Sequence, residues 1–225
     1  MHFFKIHVNE LGAIYPYRRI GIRSAYSGLW WLFEKLTLLL GLIRLDALYC
    51  RAIDLLPGVR KLSPDERRLA ATIFRGSLPL DKIRIREGTN WGTDRGRIVY
   101  CSFYIINSYH MLDRQTLIHE LVHVWQYRKY GVSYIPRALA AQLTTEGYDY
   151  GGLPTMRKLI ADEVALKDLN YEQQASLIED FYAHLYLNKK MLQGIGSGEL
   201  WEMDKVLHKF LLDIQYQENE FPESI

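Results

Sequence analysis

Apolar residues crowd the chain between positions 26 and 55 and then thin into readable periodicities. In that first stretch Trp30, Trp31, Phe33, Leu36, Leu38, Leu40 and Ile43 span too wide an arc for a simple amphipathic stripe. Such an arc predicts one or two helices well buried in the core. The same arc also suits an interfacial or partner-binding helix with tryptophan anchors. Upstream, residues 2–8 alternate weakly, as a strand would, and 9–23 read as a loop.

Later signals are sharper. Ser63-Pro64-Asp65-Glu66 sets a capping Ser, a Pro at the first helical position and a Glu at N3, so a capping box should open a helix running to about Arg75. Lys82-Ile83-Arg84-Ile85-Arg86 alternates with period two and predicts a half-buried strand. Residues 98–106, rich in β-formers, predict a strand or hairpin pair. Asp113 can cap a long helix that ends at Gly131. Further helices are expected near 135–145, 155–168, 171–190 and 199–217. The expected fold class is therefore α+β and mostly helical, with a small β-sheet in the N-terminal half and a helical C-terminal half.

With 48% hydrophobic and 13% aromatic residues in 225, the chain can build a packed core, and disorder is excluded. The net charge of +2 argues against a strong nucleic-acid binder. That sum hides an asymmetry: residues 1–112 carry 17 Lys and Arg against 9 Asp and Glu, whereas residues 113–225 carry 11 against 17. Either the halves complement each other, or the basic half meets an anionic partner or membrane surface. Cys50 and Cys101, outside any C-x-x-C pair, read as free thiols of a reducing compartment. The first residues show no secretory-signal pattern. Leu36–Ile43 falls far short of the roughly 20 residues a membrane span needs, which leaves only peripheral contact through residues 26–55.

The chemistry concentrates at Leu117-Ile118-His119-Glu120-Leu121-Val122-His123-Val124-Trp125. His119 and His123 stand one helical turn apart and can share a metal ion, while Glu120 can reach a water on that ion without displacing it. Zinc would lower the pKa of such a water, and Glu120 would take its proton as it attacks a carbonyl. The apolar neighbours would fix the ligands on a rigid, buried element. Gln126 and Lys129 stand where an extended motif would need Gly and His, so a His₂Glu site with a carboxylate from a later helix is expected. Glu172, in Tyr171-Glu172-Gln173-Gln174-Ala175-Ser176, leads. Ala175 and Ser176 are small enough to let this helix approach the metal helix. Glu179, seven residues on, is either the ligand or an outer partner of a ligating His, and Glu163, Glu146, Asp149 and His184 remain open. Tyr148, Tyr150 or His184 could donate a hydrogen bond to the oxyanion.

The order Leu62-Ser63-Pro64-Asp65-Glu66-Arg67, Lys82-Ile83-Arg84-Ile85, then Thr116 through Gln126 resembles the eCIS-core metallopeptidase-like domain found with bacterial contractile injection systems. Trp125-Gln126, Tyr148-Asp149-Tyr150 and Glu172-Gln173-Gln174-Ala175 look like related zinc peptidases beside type VI secretion and Rhs genes. The resemblance covers about residues 62–185. It implies a zincin-like, gluzincin-type metallopeptidase domain over 61–225, with Zn²⁺ on His119, His123 and Glu172 and Glu120 as base. It also implies a bacterial effector or toxin, made in the cytoplasm and exported without a signal peptide. Its partners would be a protein or peptide substrate, a secretion-system spike and a cognate immunity protein. Residues 1–60 lie outside the resemblance, as a helical extension for docking or cleft shielding. Two other expectations stand beside this one: a catalytically silent zinc-fold adaptor, and a hydrolase of a non-peptide substrate such as a cell-wall amide.

Overall fold

A computed structural model describes residues 43–88, 98–142, 147–161 and 166–187, together with positions 32, 33, 35–37, 39 and 41. The expected strand at 2–8, loop at 9–23 and helix at 199–217 lie outside the described residues. The described positions from 32 to 41 are helical. After a turn at Ile43–Arg44, where Arg44 adopts a left-handed conformation, α1 runs Leu45–Asp54. Among the described residues the stretch is thus two helical segments; of the arc's own residues Phe33 is half-buried and Leu36 and Ile43 are exposed, while Trp30, Trp31, Leu38 and Leu40 lie outside the described residues. Leu32, Leu36, Leu39 and Ile43 are all exposed, while Thr37 is turned inward.

Four short strands follow the elements the patterning predicts, with one addition. They are β1 (Val59–Lys61), β2 (Arg84–Arg86), β3 (Tyr100–Ser102) and β4 (Ile105–Asn107), in the order β1-β2-β4-β3. β1 pairs antiparallel with β2, β2 parallel with β4, and β4 antiparallel with β3. β1 is the addition: Val-Arg-Lys is too short to show a period of two. Between β3 and β4 the chain reverses through Phe103, whose φ of 62° is costly for a bulky residue. Its ring packs against Tyr49 and Tyr127 at centroid distances of 5.6 and 5.1 Å, and those contacts hold it there.

Helix α2 (Pro64–Phe74) begins as its sequence signals. The Ser63 hydroxyl accepts from the Glu66 N–H, and the Glu66 carboxylate accepts from the Ser63 N–H. Asp113 caps α3 (Arg114–Tyr130) by accepting from the Gln115 and Thr116 N–H groups, and Gly131 at φ 64° ends it. Short helices α4 (Tyr134–Gln142) and α5 (Gly152–Ile160) lead to α6 (Tyr171–Leu187). Asn170 and Gln173 form a second, reciprocal cap at the start of α6.

The core is built around α3. Every residue from Leu117 to Tyr127 is buried, because the sheet (Ile85, Ile106) with Ile83 just before it, α2 (Ala70, Ile73, Phe74) and α6 (Leu177, Ile178, Phe181) cover it from different sides. Ala175 of α6 is fully buried, and its single methyl lets α6 lie close to α3.

Arg60 on β1 ties sheet to helix by bridging Glu66 at 2.7 Å and Glu87 at 2.9 Å. Burial opposes ionisation of Glu66, but Arg60 outweighs it and lowers the pKa; the Arg60 hydrogen bond likewise lowers Glu87. A carboxylate lowered in the folded state stabilises the fold above its unfolded pKa of about 4.3, and that stability is lost as pH falls through the lowered folded value. Urea unfolding of wild type and Arg60→Gln should therefore differ by ~1 kcal/mol near neutral pH, a figure discounted for partial exposure. The two curves should converge in acid, and a difference independent of pH would refute the linkage.

Candidate metal centre

A helix buried on every side leaves its polar side chains little access to bulk water, so most must be satisfied from within. On α3 these are His119, Glu120, His123 and Gln126, with fractional exposures of 9, 4, 6 and 0%. The two imidazoles lie one turn apart, ring centroids 5.0 Å from each other. Glu172, in the first turn of α6, projects between them. Its Oε2 is 3.3 Å from the Nε2 of His119 and 3.3 Å from the Nε2 of His123. One ligand atom from each of the three residues lies within 4.8 Å of the others.

That spacing could accommodate a metal ion. Two donors each about 2.1 Å from a tetrahedral ion stand about 3.4 Å apart. The donor set, two imidazole nitrogens and one carboxylate oxygen, is one that divalent transition-metal ions accept. A second observation supports the fit: Glu120 Oε2 is buried and has no hydrogen-bond partner in the protein. A lone buried carboxylate oxygen is costly unless something beside it can donate, as a water near a metal would.

Both imidazoles are oriented from behind. His119 Nδ1 lies 2.9 Å from Glu179 Oε2, and His123 Nδ1 lies 2.8 Å from Gln126 Oε1. A ring that donates from Nδ1 presents the lone pair of Nε2 forward. Gln126 is fixed in turn, its amide donating to the Tyr171 carbonyl at 3.0 Å and to Gln174 Oε1 at 3.1 Å. Gln174 donates to the carbonyls of Leu166 and Leu169. From α4, Gln142 donates to Glu172 Oε1 at 2.8 Å.

The ionisation pattern follows from this packing. Burial disfavours charge on His119, yet the bonds to Glu172 and Glu179 outweigh it and push the pKa up to about 10. Burial would raise Glu172, but His123 and His119 hold it well below the usual carboxylate range. Burial pushes Glu120 up, and the two histidines offset this only in part. The field that favours cationic imidazoles equally favours a divalent cation.

The other residues singled out by sequence have definite places. Glu179 stands behind His119. Asp149 accepts from the Gly151 N–H at 2.8 Å. Tyr150 is buried and donates to Asp180 at 2.7 Å, where burial raises the Asp180 pKa to about 6. Tyr148, half exposed, is the tyrosine whose ring lies beside His119, at 5.9 Å between centroids, and it is hydrogen-bonded to Gln142. His184 falls on the helical backbone of α6, but its side chain lies outside the described residues, as do Glu146 and Glu163. Sequence reasoning missed the roles of Gln126, Gln142 and Gln174. A Gln three residues after the second histidine was the available signal for the first of them.

If Gln126 orients His123, Gln126→Leu should weaken divalent-metal binding at this site about 10- to 100-fold in a chelator competition. Glu172→Ala should weaken it further, and unchanged affinity in Gln126→Leu would show that the imidazole needs no such hold. A scan of protein-family models and searches of curated proteins and of solved structures returned no match to this chain.

Proposed function

We propose that the chain is a zinc peptidase of zincin type, of the kind that accompanies bacterial contractile injection and type VI secretion systems. The observation that carries the enzymatic part is the convergence of His119, His123 and Glu172 beside the unpartnered, buried oxygen of Glu120. The secretion context rests on the resemblance of the His119–Gln126 and Glu172–Ala175 segments alone.

His119, His123 and Glu172 would hold the ion, which supplies Lewis-acid polarisation of water and of the scissile carbonyl. Glu120 would take the proton from the attacking water and pass it to the leaving amine. Burial raises its affinity for that proton, which favours the transfer. Tyr148 would donate its phenolic hydrogen to the oxyanion. Burial and the nearby Glu172 and Glu120 push its pKa up to about 12, so it stays protonated as a donor must. Gln142, bonded to both Glu172 and Tyr148, would set the distance between ligand and donor.

Wild type and Glu120→Gln should bind zinc equally, while the variant loses at least about a hundredfold in kcat/KM on protein or peptidoglycan-peptide substrates. Tyr148→Phe should lose about 10²–10³ in kcat with little change in KM. Equal turnover by wild type and Glu120→Gln would overturn the assignment of the base. Zinc binding without turnover by wild type on either substrate panel would favour an adaptor that keeps the site but does not use it.

A further inference from the structure

Two helices of this chain open with the same reciprocal cap but with different residues. In α2 the pair is Ser63 and Glu66. In α6 it is Asn170 and Gln173: Asn170 Oδ1 accepts from the Gln173 N–H at 2.8 Å, and Gln173 Oε1 accepts from the Asn170 N–H at 3.0 Å. Capping uses only the side-chain oxygens. A hydroxyl and a carboxylate suffice for it in α2, so capping does not explain why α6 carries two amides.

The amide nitrogens have partners of their own. Asn170 Nδ2 donates to the Gly147 carbonyl at 3.0 Å, and Gln173 Nε2 donates to the Asp149 carbonyl at 2.7 Å. Those two carbonyls flank Tyr148, whose ring lies beside His119. Gly147 at φ 48° and Gly151 at φ 82° give the segment its shape, and Asp149 Oδ1 closes the turn on the Gly151 N–H. Further along α6, Asp180 accepts from the Tyr150 hydroxyl. Residues 147–151 are therefore held to α6 at three points. Tyr148 itself is 49% exposed, so packing restrains it little and the backbone anchors matter more. Between the two amides in sequence stands Glu172, whose carboxylate reaches both imidazoles. One helical turn thus carries a candidate metal ligand together with both anchors of the Tyr148 backbone. An oxyanion donor is effective only when it already waits where the charge will form, and a loosely held one loses most of that effect.

We propose that Asn170 and Gln173 are positioning residues for Tyr148: their amide nitrogens clamp the backbone on either side of it and so fix its phenol relative to Glu172. The inference rests on the reading of Tyr148 as the oxyanion donor.

The test is Asn170→Ser/Gln173→Glu in the full chain, which gives α6 the capping pair of α2, keeping both capping oxygens and removing both amide donors. Unfolding temperature and zinc affinity should match wild type. In the metal-free protein, hydrogen exchange across residues 148–152 should speed up by about fivefold for each bond removed. On a substrate that wild type cleaves, kcat should fall roughly tenfold to a hundredfold with little change in KM. In a Tyr148→Phe background the same pair should cost less than about twofold, because no donor remains to be placed. A cap acting on stability alone would cost the same in both backgrounds. Asn170→Ser and Gln173→Glu singly, each leaving one anchor, should give intermediate exchange and kcat, which keeps the question decidable should the double variant fail to fold. Unchanged exchange, unchanged kcat, or an equal loss in both backgrounds would overturn the clamp, even where a defective Tyr148→Phe upholds the donor. A fully active Tyr148→Phe would overturn the donor and the clamp's catalytic role with it.

Discussion

The structure depends on one constraint: the central helix is buried on all sides yet carries four polar side chains. Burying an unsatisfied polar group costs on the order of several kcal/mol, and an unpaired charge costs more. The surrounding elements therefore must supply partners at fixed positions. Glu179 serves His119, Gln126 serves His123, Gln174 and the Tyr171 carbonyl serve Gln126, and Gln142 steadies Glu172. The apolar packing that makes α3 rigid is also what makes these bonds obligatory.

Much of this burden falls on the first turn of α6. Gln173 completes the reciprocal cap with Asn170 that starts the helix, Glu172 projects to the imidazoles, Gln174 braces Gln126, and Ala175 permits the close approach. Helical geometry explains how neighbours in sequence take such different roles, since each step of one residue turns the side chain by about 100°. Moving the chain by a single residue would break all of these contacts together.

What could be read beforehand follows from how local each feature is. The caps at Ser63 and Asp113 involve partners within three residues, and both form as their sequences signal. His119 and His123 needed only the helical period. Glu172 was identifiable because the helix after residue 170 opens with small residues that allow close packing. Gln142 was not identifiable as a support, because its partner Glu172 lies 30 residues away and glutamine carries no distinctive pattern. For Gln126 only the bond to His123, three residues back, was locally legible, and not the one to Tyr171, 45 residues on. The apolar stretch at 30–43 is uninformative on burial for a related reason. Its density reports that a helix prefers to leave water, without reporting whether the destination is a protein core or another apolar phase.

The two carboxylates nearest the imidazoles illustrate how one burial produces opposite chemistry. Glu172 touches both rings and a donating amide, so its anion is stabilised more than burial disfavours it, and it remains a permanent negative charge. Glu120 lies in the same low-dielectric space with one oxygen unpartnered, so burial dominates and its affinity for a proton rises. Environments that push two neighbouring acids in opposite directions separate a structural anion from a proton carrier. Hydrogen bonding makes that distinction here, since Glu120 and Glu172 are chemically identical side chains and both are almost completely buried. A bond that newly satisfied Glu120 would lower its proton affinity and leave the site two fixed anions, still suited to holding a cation but poorly suited to moving a proton.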